Sequence, residues 1–151
     1  MEAWEIRHIR QKLGATQEDL ARIMKTSLAT FNRWESGSAP ISPKKAAILE
    51  AVNSLAERLE RIQSRKSYGG NATEQLRTVL IRMGAENFLF LVAKEKRDSL
   101  PRSCWRRLSA AIPAIGLVVG VPVGTLGAMC GSRLVRDVLE ILGESNRGNK
   151  K

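Results

Sequence analysis

The stretch Thr16-Gln17-Glu18-Asp19-Leu20-Ala21-Arg22-Ile23-Met24-Lys25-Thr26-Ser27-Leu28-Ala29-Thr30-Phe31-Asn32-Arg33-Trp34-Glu35-Ser36-Gly37 decides the fold. Thr16 is an N-cap residue, and Asp19 stands at the third helical position, where its carboxylate can reach back to the cap. Leu20, Ala21 and Met24 then fall on one helical face. The chain breaks at Lys25-Thr26. Ser27 caps a second short helix whose apolar pair is Phe31 and Trp34, and Gly37 ends it. Two helices of about eight residues joined by so short a turn form a helix-turn-helix unit.

Upstream, Ile6, Ile9 and Leu13 recur at steps of three and four, which predicts a helix over 4–13, and Gly14 suits the left-handed position that closes it. Downstream, Ser42-Pro43 supplies a cap and a first-turn proline. No breaker follows between Lys44 and Gln63, so a long connecting helix, or two in close succession, is expected.

The stretch 16–37, with Arg10, Leu13 and Gly14 before it, resembles the Xre family of regulators, which includes the lambdoid phage repressors. The features that match are Gln17, the Leu20-Ala21 pair, apolar residues at 24, 31 and 34, and Glu35-Ser36-Gly37; the likeness covers about residues 4–52. One position departs: Lys25 stands where the family often has glycine, and a left-handed lysine costs about 1 kcal/mol. The resemblance implies a bacterial or phage, sequence-specific regulator of transcription. It also implies an ion pair between Arg10 and Glu35 joining the first helix to the end of the third.

In helix-turn-helix docking the second helix of the unit enters the major groove of double-stranded DNA. Ser27, Leu28, Ala29, Asn32 and Arg33 lie opposite Phe31 and Trp34, so they are the candidate base readers. Arg33 suits guanine O6 and N7, Asn32 suits adenine, and Leu28 and Ala29 offer apolar surface to a thymine methyl. Gln17, Lys25, Thr26, Arg10, Lys44 and Lys45 are the candidate phosphate contacts, with Gln17 at a helix N-terminus where amide donors favour anions. Trp34 reads as core. Ile48, Val52, Leu55, Leu59 and Ile62 are spaced 4, 3, 4, 3, either the seam of a homodimer or a helix packing on its own domain.

Residues 1–66 hold 12 basic and 8 acidic side chains, and the chain carries a net charge of +10. Such a balance suits a polyanionic partner, nucleic acid or an anionic membrane surface. The expected organisation is a DNA-binding domain over 1–66, a linker over 67–72 and a helical region over 73–151, all α throughout. Thr73–Met83 and Ala85–Ala93 are its first helices. Arg77–Gly84 and Arg136–Gly143 resemble one another faintly, as two amphipathic helices do by chance.

From Leu108 to Gly131 no charge occurs, and Gly116, Gly120, Gly124, Gly127 and Gly131 recur at steps of three and four. The run is long enough to span a bilayer, and Lys94, Lys96, Arg97, Arg102, Arg106 and Arg107 precede it. Pro113 and Pro122 would interrupt a continuous helix, and the basic tail would have to cross. A buried core, an oligomer interface and a membrane segment all stay open. So do three roles: a dimeric repressor, an antitoxin that blocks a toxin partner and represses its own operon, and a membrane-tethered regulator. The charged N-terminus lacks the apolar core of a signal peptide, so a cytoplasmic location is expected, or an inner-membrane anchor with the N-terminal domain in the cytoplasm. Cys104, Cys130 and His8 show no metal-ligand spacing, and there is no nucleophile–base set and no phosphate loop. Neither an enzyme nor a metal or other cofactor is expected.

Overall fold

The computed structural model describes residues 1–65, 71–116 and 133–144. All regular elements among them are helical. The N-terminal group is α1 (Ala3–Lys12), α2 (Gln17–Ile23), α3 (Leu28–Ser36) and α4 (Pro43–Arg65). There follow α5 (Ala72–Met83), α6 (Ala85–Glu95), a short 3₁₀ turn (Arg97–Ser99), α7 (Arg102–Ala111), α8 (Pro113–Gly116) and α9 (Arg133–Glu144).

The boundaries follow from local chemistry. Gly14 has φ +62° and Gly37 φ +78°, each in the left-handed conformation that ends a helix. Thr16 Oγ1 accepts the Asp19 amide at 3.1 Å, and Asp19 Oδ2 accepts the Thr16 amide at 2.9 Å, a closed capping box. Ser27 Oγ accepts the Thr30 amide at 3.1 Å. Lys25 has φ 49°, the only positive φ outside glycine among the described residues, as expected of a lysine placed in that turn.

Leu20 and Phe31 are fully enclosed, and burying side chains of this size contributes roughly 1.5–3 kcal/mol each. Phe31 and Trp34 meet edge to face at 6.2 Å. This packing fixes α3 by its underside against α1 and α2.

The 23-residue α4 is the spine. It touches α1, α5, α6, α7 and α9. Ile48, Val52, Leu55, Leu59 and Ile62 are all buried, and the first four belong to the apolar core shared with these neighbours, so they form no free seam for a second copy. The reason is visible in Leu49, Ala51 and Ala56, which are buried as well. They widen the apolar face beyond a coiled-coil stripe, to the breadth of a helix sunk in a globular core.

A single apolar cluster runs from Ile6 to Leu142. Residues on both sides of the expected boundary near residue 66 belong to it. Residues 67–70 of the expected linker lie outside the described residues, Asn71 caps α5, and Ala72 is already buried in it. Polar ties add to the cluster. Arg77 Nη1 donates to the Gly14 carbonyl at 2.6 Å, and Lys44 pairs with Glu86 at 3.4 Å.

Of the uncharged run 108–131, the described portion is no continuous span. Leu108 belongs to α7, the chain breaks at Ile112, and Pro113 opens α8; Leu108, Ile112 and Ile115 are core residues. Positions 117–131, with Cys130, Pro122 and the later glycines, lie outside the described residues, as does the tail beyond 144. Among the described residues no helix is long and apolar enough to cross a membrane. The two faintly similar segments are both helices that bury a Val-Leu pair, Val79-Leu80 and Val138-Leu139, and α9 packs on α5.

Gly84 joins α5 to α6 at φ +81°, ψ 151°, a conformation essentially restricted to glycine. Gly84→Ala is expected to lower stability by about 1–3 kcal/mol in urea denaturation, and an unchanged midpoint would show the junction unstrained. Acid should weaken the fold at two further places. The backbone hydrogen bond from Thr16 holds the Asp19 carboxyl below its usual range. The Lys12 ammonium, 2.9 Å away, does the same for Glu57. Depressed carboxyls stabilise above their unfolded pKa, and the gain disappears as pH falls through their folded values. Melting temperature should therefore drop below about pH 4. The Asp19→Asn, Glu57→Gln double variant should show a shallower drop over the same range.

Candidate nucleic-acid interface

The outer face of α3 is built as the spacing of its apolar pair requires. With Phe31 and Trp34 turned inward, Leu28, Ala29, Asn32 and Arg33 are exposed, as is Ser27 at the cap. Leu28 is 44% exposed, and with Trp4 it is one of two large apolar side chains left open to solvent among the described residues. Among the described residues the side chains of Asn32 and Arg33 make no hydrogen bond or ion pair, so their donors are free for a ligand. Ser27 is less free. Its hydroxyl accepts from the Thr30 amide and donates to Thr30 Oγ1 at 2.8 Å.

Beneath this face lies Glu35, only 2% exposed. Arg10 Nε donates to Glu35 Oε1 at 2.7 Å, the pair the family resemblance implied. Gln17 Nε2 donates to Glu35 Oε2. Arg7 approaches the same carboxylate at 4.0 Å while staying largely exposed. One buried acid thus ties α1, α2 and α3 together. The sequence did not disclose Arg7; its only signal is its position one turn before Arg10 on α1.

The candidate phosphate contacts divide. Arg10 is engaged inward, with Glu35 and with the Ala15 carbonyl at 3.2 Å, so it serves as a brace and not as an outward phosphate donor. Gln17 is exposed, but its amide nitrogen is held by Glu35. Lys45 Nζ donates to the Met24 carbonyl at the end of α2, and partial burial lowers its pKa. Thr26 is half-buried. Lys44 is exposed beside Glu86. Lys25 is exposed too, with its side chain laid across Gly84. Lys25 and Lys44 both lie near enough to Lys45 to oppose its charge, so the three lysines share one basic neighbourhood.

Among the described residues no group of histidine, cysteine and carboxylate side chains could hold a metal. Cys104 is half-buried, and burial raises its thiol pKa, away from the reactive thiolate.

A capped helix pair with its second helix presented outward has the geometry of a helix-turn-helix. Residues 6–53 match the family model described as Helix-turn-helix, HTH_3. This third of the chain thus has the sequence and the geometry of a helix-turn-helix domain of the lambda-repressor and Xre type, the regular elements of the described residues are all helical, and the match supports a DNA-binding role in transcriptional regulation. No curated protein and no solved structure matches the chain.

Removing the buried acid would leave Arg10 and Gln17 without their partner. Hydrogen bonds to charged groups contribute about 1.5–3 kcal/mol, so Glu35→Ala should destabilise the domain by that amount. The DNA sequence it prefers should stay the same, because Glu35 does not reach the outer face. Equal melting temperatures for variant and parent would contradict the brace.

Proposed function

We propose that the protein is a repressor that reads the major groove of double-stranded DNA with α3. Ser27, Leu28, Ala29, Asn32 and Arg33 contact bases. The observation that carries this reading is the exposure of Leu28, at the start of α3, on the same outward face as Asn32 and Arg33, which have no partner among the described residues. An apolar side chain in water has no folding role there, and a thymine methyl is its natural cover. Arg33 takes the two acceptors of a guanine, and Asn32 takes an adenine edge. Lys44, Thr26 and the amide end of α2 beside Gln17 supply phosphate contacts.

One such helix spans few base pairs, so the repressor acts as a symmetric dimer on two half-sites about one helical turn apart. The dimer uses a surface other than the buried face of α4. The helices after α4 serve as a signal-sensing module packed directly on the DNA-binding helices, and the protein works in the cytoplasm, where its duplex partner is found.

Selecting bound duplexes from a random pool tests the reading. The expected result is a two-fold symmetric motif with salt-sensitive affinity. Repeating the selection with Arg33→Ala should erase the preference at one base pair per half-site and weaken binding by about 1–3 kcal/mol. The same motif from both proteins would remove Arg33 from the reading face, and no salt-sensitive affinity for any duplex would sink the assignment.

A further inference from the structure

The turn between α2 and α3 faces the C-terminal helices across a cleft of about 400 Å³, within the range of small-molecule sites. Ile81, Met83 and Val135 form an apolar floor from α5 and α9. Arg22, Lys25 and Arg82 stand around it. Arg22 is occupied by Glu18 at 2.7 Å. Among the described residues, Lys25 and Arg82 have no ion-pair partner. Glu86, the acid of the adjoining first turn of α6, is already taken by Lys44.

Lys25 lines this cleft from the turn between α2 and α3. At φ 49° it occupies a conformation where glycine would cost nothing. Its side chain passes so close over Gly84 that a β-carbon there would stand 2.8 Å from Lys25 Cε. The Lys25 side chain thus lies over Gly84 and lines the cleft.

We propose that the cleft binds a small amphipathic organic anion. Its apolar body rests on Ile81, Met83 and Val135, and its carboxylate, sulfonate or phosphate head meets Lys25 and Arg82 in charge-assisted hydrogen bonds. Two cations at the rim of an apolar floor fit neither a neutral apolar ligand nor the DNA backbone, which would leave the floor uncovered. The bound anion bridges α2 and its turn to α5, α6 and α9, two residues before the cap of α3.

The test uses the full chain without DNA, so its outcome is independent of the operator reading. Anilinonaphthalenesulfonate is the anionic probe, and phenylnaphthylamine is its neutral counterpart. The sulfonate should bind saturably at one site. Lys25→Gln and Arg82→Gln should each weaken it roughly tenfold or more, with the neutral probe unaffected. Lys25→Gly removes the charge while relieving the backbone, so the same loss in that variant, with a melting temperature no lower than the parent's, excludes misfolding as the cause. Sulfonate affinity unchanged by these substitutions, or lost equally for both probes, would overturn the proposal.

Discussion

The orientation of α3 depends on the carboxylate of Glu35, enclosed at the base of the helix and held by Arg10 from α1 and Gln17 from α2. A buried acid of this kind contributes little net stability, because taking it out of water offsets much of the attraction. What it supplies is geometry. Three helices that otherwise meet only through apolar side chains share one polar node, and a rotation of α3 about its axis would break two hydrogen bonds to a charged group. Phe31 and Trp34 set which side of α3 faces inward; Glu35 sets the angle at which it does so.

That division sorts the polar residues of the domain into two populations. Arg10, Gln17, Glu35 and Lys45 are engaged with protein partners, whereas Asn32 and Arg33 are left unpaired beside Leu28. The inward group lets the outward group stay rigid without bonds of its own. Donors held in place by a helix, and free of internal partners, are poised for a groove.

Features set within four residues were legible in the sequence. Thr16 with Asp19, Ser27, Gly14, Gly37 and Pro43 each act on their immediate neighbours, and all of them sit at the helix ends where their chemistry puts them. The inward and outward sides of α3 were equally readable, because 3.6-residue periodicity is a property of one helix. Two kinds of information were not. A spacing of 4, 3, 4, 3 along α4 is common to a two-stranded seam and to a helix surrounded by its own chain, and only α5, α6, α7 and α9, later in the sequence, decide between them. Long polar side chains are the second case. Lys45 reaches a carbonyl 21 residues away, and no local pattern announces that. The Arg10–Glu35 pair was accessible only through family likeness, and the second donor to that acid, Gln17, was read as facing DNA.

The continuity of α4 has a practical side. Its first turns belong to the helix-turn-helix domain, and α5, α6, α7 and α9 all pack on it, so the two halves of the chain share one structural member. Trimming the chain after residue 66, as one would to isolate a DNA-binding fragment, would strip the cover from Leu55, Leu59 and Ile62 and leave a greasy rod projecting into water. A fragment made that way would expose apolar surface that is buried in the full chain, and association through that surface would say nothing of a native dimer.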